Sequence, residues 1–145
     1  MKRRALDDMN CSVARTLDVV GDPWTLLIVR DALFGISRFD DFRRRLDIPR
    51  TTLSSRLTTL VDHDVMERRQ YEKTPIRHEY ILTTKGRALH PIVIAMLRWG
   101  DTWSTLREPP ITLVDADNGA EIDPIYIDRN TGKPLAELNI EHRQN

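Results

Sequence analysis

Between Phe39 and Val61 two helical registers meet across one proline. Phe39, Phe42 and Leu46 recur at spacings of three and four, Asp47-Ile48-Pro49 halts that run, and Leu53, Leu57, Leu60 and Val61 resume a single apolar stripe. A helix cannot run through that break, and the connection is too short for anything but a tight turn. The chain is therefore predicted to fold two short helices against each other here. The second of them, RTTLSSRLTTL over residues 50–60, holds to its domain by leucines and turns Thr51, Thr52, Ser54, Ser55, Arg50 and Arg56 to other faces.

The flanking residues extend this pattern. Val13, Leu17 and Val20 mark a helix from Ser12 to Val20 that stops at Gly21. Asp22 then suits a cap and Pro23 a first helical position for a second helix reaching Gly35. Ser37 or Arg38 opens the third helix. After the RTTLSSRLTTL helix, Val65–Glu72 and His78–Thr83 read as two strands joined by a basic tip, Lys73-Thr74-Pro75-Ile76-Arg77. Thr83 or Thr84 caps a long helix expected to run to about Leu106, with Pro91 disturbing its start. Ile92, Met96, Trp99 and Trp103 form one stripe along it.

Beyond Arg107 the composition changes. Pro109-Pro110 is followed by strand-like ITLV and IYI between the turn-rich DADNGAEIDP and DRNTGKP, which predicts a small irregular β appendage. The expected organisation is residues 1–106 as one domain and 107–145 as an acidic extension. That extension carries four basic residues against eight acidic ones, in a chain of 145 residues whose formal net charge is +0. Acidic surface repels phosphate, so this part is expected to face away from nucleic acid.

Helix, helix, short helix, tight turn, polar-faced helix, basic hairpin and long helix is the order of a winged helix-turn-helix. The expected fold is thus mainly α with a β-hairpin wing, plus a small C-terminal β-rich appendage. In such an arrangement the second helix of the turn offers its N-terminal half to base edges in the major groove, while its partner helix and the wing hold phosphates. Charge agrees locally: five arginines between Arg43 and Arg56 face a single acid, Asp47. Arg50 and Arg56 are long enough to clamp guanine or phosphate. The serines and threonines are short enough to let the helix sit deep. Arg38, Lys73 and Arg77 are placed on the DNA backbone or the minor groove. A protein-interaction module that keeps the fold without binding DNA is the alternative.

Other chemistries find little in the sequence. His63, His78, His90 and His142 lie in separate elements with no paired nucleophile or carboxylate, so an enzyme is not expected. Asp62-His63-Asp64 reads as a helix end rather than a metal site. Cys11 is the single cysteine, which excludes intramolecular disulfides and zinc sites built on several thiolates and suits a reducing compartment. No cofactor is expected. MKRRALDDMN has no apolar stretch behind its basic residues and no run approaches the roughly 20 residues of a membrane span, so a cytoplasmic protein off the membrane is expected.

CSVARTLDVVGDPWTLLIVRDALFGISRFDDFRRRL, LSSRLTTLVDHDVMERRQY and RHEYILTTKGRAL resemble the HxlR-type branch of the MarR-like winged helix-turn-helix transcriptional regulators, over roughly residues 11–106. The resemblance implies a homodimer, joined through the N-terminal helix and the Ile92, Met96, Trp99 and Trp103 helix, acting on a two-fold related DNA operator, more as repressor than activator. It assigns recognition to Arg50–Arg56 and the wing to Lys73–Arg77. The chain departs from the family where Pro49-Arg50 stands in place of Ser-Pro, leaving the cap of the recognition helix open. Cys11 occupies the place of a cysteine that senses oxidants or electrophiles in some members; packing at the dimer interface is the plainer role. Trp99, Trp103, Met96 and Phe34 line either a small-molecule pocket or ordinary core. IDRNTGKPL is similar to the second of two cysteine-bearing knuckles of longer members, with Asp128 and Thr131 where cysteines would stand; the first falls near Asn118-Gly119. A zinc-ribbon-like unit without metal and an unrelated tail both remain open.

Overall fold

In a computed structural model, residues 6–143 are described; Lys2, Arg3 and Arg4, on which the reading of the N-terminus drew, lie outside them. The chain divides into two compact units, Met1–Ser104 and Thr105–Asn145.

The first unit runs α1 (Ser12–Val20), α2 (Pro23–Leu33), α3 (Phe39–Leu46), α4 (Arg50–Asp62), β1 (Met66–Lys73), β2 (Ile76–Leu82), α5 (Thr84–Arg87) and α6 (His90–Trp103). Local chemistry sets most of these limits. Cys11 caps α1, its sulfur accepting the Ala14 N–H at 3.5 Å. Asp22 caps α2, one carboxylate oxygen accepting the Trp24 N–H at 3.0 Å, with Pro23 in the first turn where its missing N–H costs nothing. In α3 the acids Asp40 and Asp41 occupy the first turn and Arg43, Arg44 and Arg45 the last, the arrangement the helix dipole favours. The helix stops at Asp47, whose φ of 49° is left-handed, and α4 begins three residues later.

These helices close on one apolar core. Phe42 from α3, Ile48 from the turn, Leu53, Leu57 and Leu60 from α4 and Ile28 and Val29 from α2 are fully or almost fully buried, together with Val65, Met66 and Leu82 at the root of the hairpin. The leucine stripe read from the sequence is the face that α4 buries.

The hairpin differs in detail from expectation. The strands pair antiparallel from Met66 with Leu82 to Lys73 with Ile76, so Lys73 and Arg77 lie within the strands and only Thr74-Pro75 makes the turn. The register shifts between Gln70 and Glu72, which leaves Tyr71 in a bulge. The loop before α3 joins this ribbon: Tyr80 N–H donates to the Ser37 carbonyl at 2.8 Å and Arg38 bridges Glu79.

The helix expected from Thr83 or Thr84 to Leu106 is instead two. Thr83 caps α5 by accepting the Gly86 N–H, α5 ends at Arg87, and α6 starts at His90 with Pro91 in its first turn. Two constraints force the break. Pro91 has no N–H to continue the ladder. Gly86 is held so close to the hairpin root that a Cβ there would lie 2.1 Å from the Val65 carbonyl oxygen, so α5 is pinned to the root of the wing. α6 ends at Trp103, and Leu106 belongs to the second unit.

That second unit has no buried residue among those described. Its expected β character is present as two isolated bridges, Val114 with Glu121 and Ile127 with Pro134, and one 3-10 turn, Leu135–Glu137. The bridges close two loops of the same construction. In the first, Asp115 N–H donates to the Ala120 carbonyl, Gly119 N–H returns to the Asp115 carbonyl, and the Asp115 carboxylate accepts from Asp117 N–H and the Asn118 side chain. In the second, Asp128 pairs with Lys133 and Gly132 in the same way, and its carboxylate accepts from Asn130 N–H, Thr131 N–H and the Thr131 hydroxyl. Gly119 and Gly132 both take positive φ, 73° and 71°, which glycine adopts freely.

Candidate nucleic-acid interface

α4 presents two faces. Leu53, Leu57 and Leu60 point into the core, while Thr51, Ser54, Ser55 and Thr58, and Arg50 at the first position of the helix, are exposed. Thr52 and Arg56 lie on the flanks and are half-buried. Thr58 belongs to the exposed face although the sequence reading did not single it out; counting i, i+4 and i+8 from Arg50 would have found it. Its hydroxyl donates back to the Ser54 carbonyl at 3.0 Å, as Thr59 does to Ser55 at 3.1 Å.

The question left open at Pro49-Arg50 has a geometric answer. Pro49 is the capping residue, and it offers no side chain to the helix; Leu53 N–H closes the first turn on the Pro49 carbonyl at 3.0 Å. The amides at the start of α4 therefore point outward with no side-chain acceptor, beside an open cleft of about 640 Å³ lined by Asp40, Arg43, Arg44, Asp47, Ile48 and Pro49. Arg50 rests over the ring of Phe39, 5.1 Å from its centroid, which holds the guanidinium near that helix start.

The arginine cluster is less positive in space than along the chain. Asp41 pairs with Arg44, Asp31 with Arg45 at 3.3 Å, and Asp22 with Arg56 at 3.0 Å. Asp31 and Asp22 lie on or beside α2, outside the stretch where the arginines were counted. Asp31 is fully buried and is also gripped by Arg30 at 2.8 Å, so these charges lock α3 to α2. Arg43, Arg50 and Lys73 have no carboxylate partner among the described residues.

On the wing, Arg77 pairs with Glu72 at 3.4 Å and Arg38 stacks over Tyr71 at 4.8 Å. Arg68 and Arg69, not singled out from the sequence, also lie exposed on β1. Arg69 is tied to Glu79 at 3.0 Å, and Arg68 lies 3.2 Å from His78 Nδ1. Glu79 accepts from both Arg69 and the Ser37 hydroxyl, which holds its carboxyl below the usual carboxylate range.

Other expected site residues lie elsewhere. Ile92, Met96, Trp99 and Trp103 form an exposed stripe on α6, with Trp99 at 68% and Trp103 at 72% exposure, and no residue of α6 is buried. Val93, beside that stripe, is half-buried and packs against the core. Phe34 is exposed at the end of α2. Cys11 is exposed at the start of α1. No group of three or more potential metal ligands occurs among the described residues, and no described helix is long and apolar enough to cross a membrane.

This arrangement defines a winged helix-turn-helix. Residues 19–108 match the model of the HxlR-like helix-turn-helix family, to which the chain belongs. It is 43% identical over 130 residues to an uncharacterized HTH-type transcriptional regulator of Mycobacterium bovis, Mb3122, covering 89% of this chain and 82% of that relative. Among solved structures it is similar to PA1607, a candidate transcription factor, at a TM-score of 0.86 with 37% identity, covering 96% of this chain and 98% of that one. It is also similar to the redox regulator HypR in its reduced form, at a TM-score of 0.60 with 35% identity, over 63% of this chain and 92% of that one. The protein is a transcriptional regulator with a DNA-binding helix-turn-helix, not an enzyme.

Proposed function

We propose that the protein is a homodimeric repressor that places α4 of each protomer in the major groove of a two-fold related operator. The observation that carries this reading is the outward face of α4. It is built of Arg50, Thr51, Ser54 and Ser55, short hydroxyl side chains and one unpaired arginine, at a helix start whose amides no side chain caps. Short side chains permit deep entry, a free guanidinium can take guanine or phosphate, and open helix amides favour a phosphate oxygen. Thr52 supports this face from its flank. Lys73, Arg77 and Arg38 extend the positive surface along the wing toward the backbone or minor groove.

The dimer is supported by the apolar residues left open on two helices. Val13 and Leu17 on α1 and Ile92, Met96, Trp99 and Trp103 on α6 are all exposed, an amount of bare hydrocarbon that a solitary unit does not keep. Cys11 is proposed as a redox-responsive thiol, since it is exposed at the start of α1 and HypR, a similar protein, is a redox regulator. Mass spectrometry after mild peroxide is expected to find Cys11 modified and operator affinity changed; an unmodified thiol with unchanged affinity removes that role.

Selection of the operator from random duplex DNA, followed by titration across salt concentrations, tests the main reading. Selected sites should show two-fold symmetry, and log affinity should fall against log salt by about 0.9 for each phosphate neutralised. Binding that ignores salt, or no enrichment at all, would favour a protein-interaction module instead.

A further inference from the structure

Arg56 was expected among the residues that read DNA, yet it lies on the flank of α4, turned toward α2. Its Nη2 is 3.0 Å from the Asp22 carboxylate, and the two side chains retain only 32% and 25% exposure. Its Nε is shielded from solvent and has no hydrogen-bond partner. A guanidinium extended toward a groove would keep Nε in water; this one is folded down against the protein.

Asp22 has two tasks at once. One oxygen caps α2 through the Trp24 N–H, and the other holds Arg56. Asp22 also follows Gly21 directly, at the joint where α1 ends, and there the backbone runs so close that a Cβ on Gly21 would lie 2.3 Å from the Leu17 carbonyl oxygen. A single carboxylate thus ties the start of α2, and the end of α1 beside it, to the middle of α4.

We infer that Arg56 is a positioning residue: through Asp22 it fixes the pitch of α4 against α2, so that Arg50, Thr51, Ser54 and Ser55 face the groove together, and it does not itself touch DNA. The inference rests on the DNA-binding reading above. The leucines of α4 fix which face is buried, but an apolar stripe leaves rotation and sliding by a fraction of a turn inexpensive. An ion pair at the flank, half shielded from solvent, penalises that freedom because it works only at one distance.

The test is a cycle of Asp22→Asn, Arg56→Gln and the pair together, in the full chain, with operator affinity measured over a range of salt and thermal unfolding alongside. Asp22→Asn keeps an oxygen for the Trp24 N–H and removes only the charge. Each single change is expected to weaken operator binding by roughly 5-fold, the pair by no more than either alone, since both sever one link. The slope against salt should stay that of the wild type, which a lost phosphate contact would not allow. A slope reduced by about 1 in Arg56→Gln, with Asp22→Asn at wild-type affinity, overturns the inference, because Arg56 then meets phosphate. If the wild type binds no duplex even at low salt, the DNA-binding reading fails; the link itself is then judged by unfolding, where additive effects of the two substitutions overturn it and non-additive effects uphold it.

Discussion

At the scale of single residues, the exposed face of α4 and the core beneath it make opposite demands. Arg50 is exposed, unpaired with any described carboxylate and held only by the ring of Phe39. Arg50→Ala should therefore leave folding intact and weaken operator binding by about 1–3 kcal/mol, with relaxed preference at one base position if it reads a base. Calorimetric unfolding beside a binding titration separates the two effects, and unchanged affinity would remove Arg50 from the interface. Leu57, two turns further along α4 in its leucine stripe, is fully buried. Leu57→Ala should cost about 2–5 kcal/mol of stability, read from denaturant unfolding, because the packed helices cannot close the cavity.

Among the elements, the wing and the C-terminal loops both depend on carboxylates held below their ordinary range. Glu79 joins β2 to Arg69 on β1 and to Ser37 before α3. A carboxylate with a lowered value contributes its stabilisation above the ordinary value and loses it as pH falls through the lowered one. The wing should accordingly be indifferent to pH near neutrality and loosen only in acid, below the usual glutamate range; amide exchange along 66–82 followed against pH would show this, and loosening already near neutrality would contradict it. Asp128 is lowered in the same sense by the Thr131 hydroxyl and the Asn130 and Thr131 amides. Its loop should also open in acid. We propose that Asp115 and Asp128 organise their loops without metal, with Asp128 and Thr131 where cysteines would stand in the knuckle that this stretch resembles. Asp128→Ala should then loosen residues 128–133 in amide exchange, while chelation of zinc from the full chain changes nothing; stoichiometric zinc in the purified protein would contradict this.

For the molecule as a whole, the exposed aromatic stripe of α6 is the largest question of association. Trp103→Asp puts a charge into that stripe at a residue that supports no core. Sedimentation should show the mutant shifted to monomer at concentrations where the wild type is dimeric, with binding to a two-fold operator weakened and binding to a half-site retained. A wild type that is monomeric throughout would remove the dimer from the proposal.

What could be read from the amino-acid order alone was governed by neighbours along the chain. The helix breaks at Gly21 and Pro49, the cap at Asp22, the leucine stripe of α4 and the two strands of the wing depend on residues a few positions apart, and their periodicity is a direct consequence of 3.6-residue and 2-residue geometry. The split between α5 and α6 was only half legible: Pro91 hinted at a disturbed start, but the pinning of Gly86 on Val65 needs two segments brought together from distant positions. Charge was the least legible. An arginine's partner is whichever carboxylate folding brings within a few ångströms, and Asp22 and Asp31, remote in sequence, reach Arg56 and Arg45 only because α2 packs on α3 and α4. The sequence by itself determined that the polar side of RTTLSSRLTTL would face outward; only the tertiary structure decided that Arg50 stays free on that side while Arg56 is drawn inward, because ion pairs follow distance in space and not position in the chain.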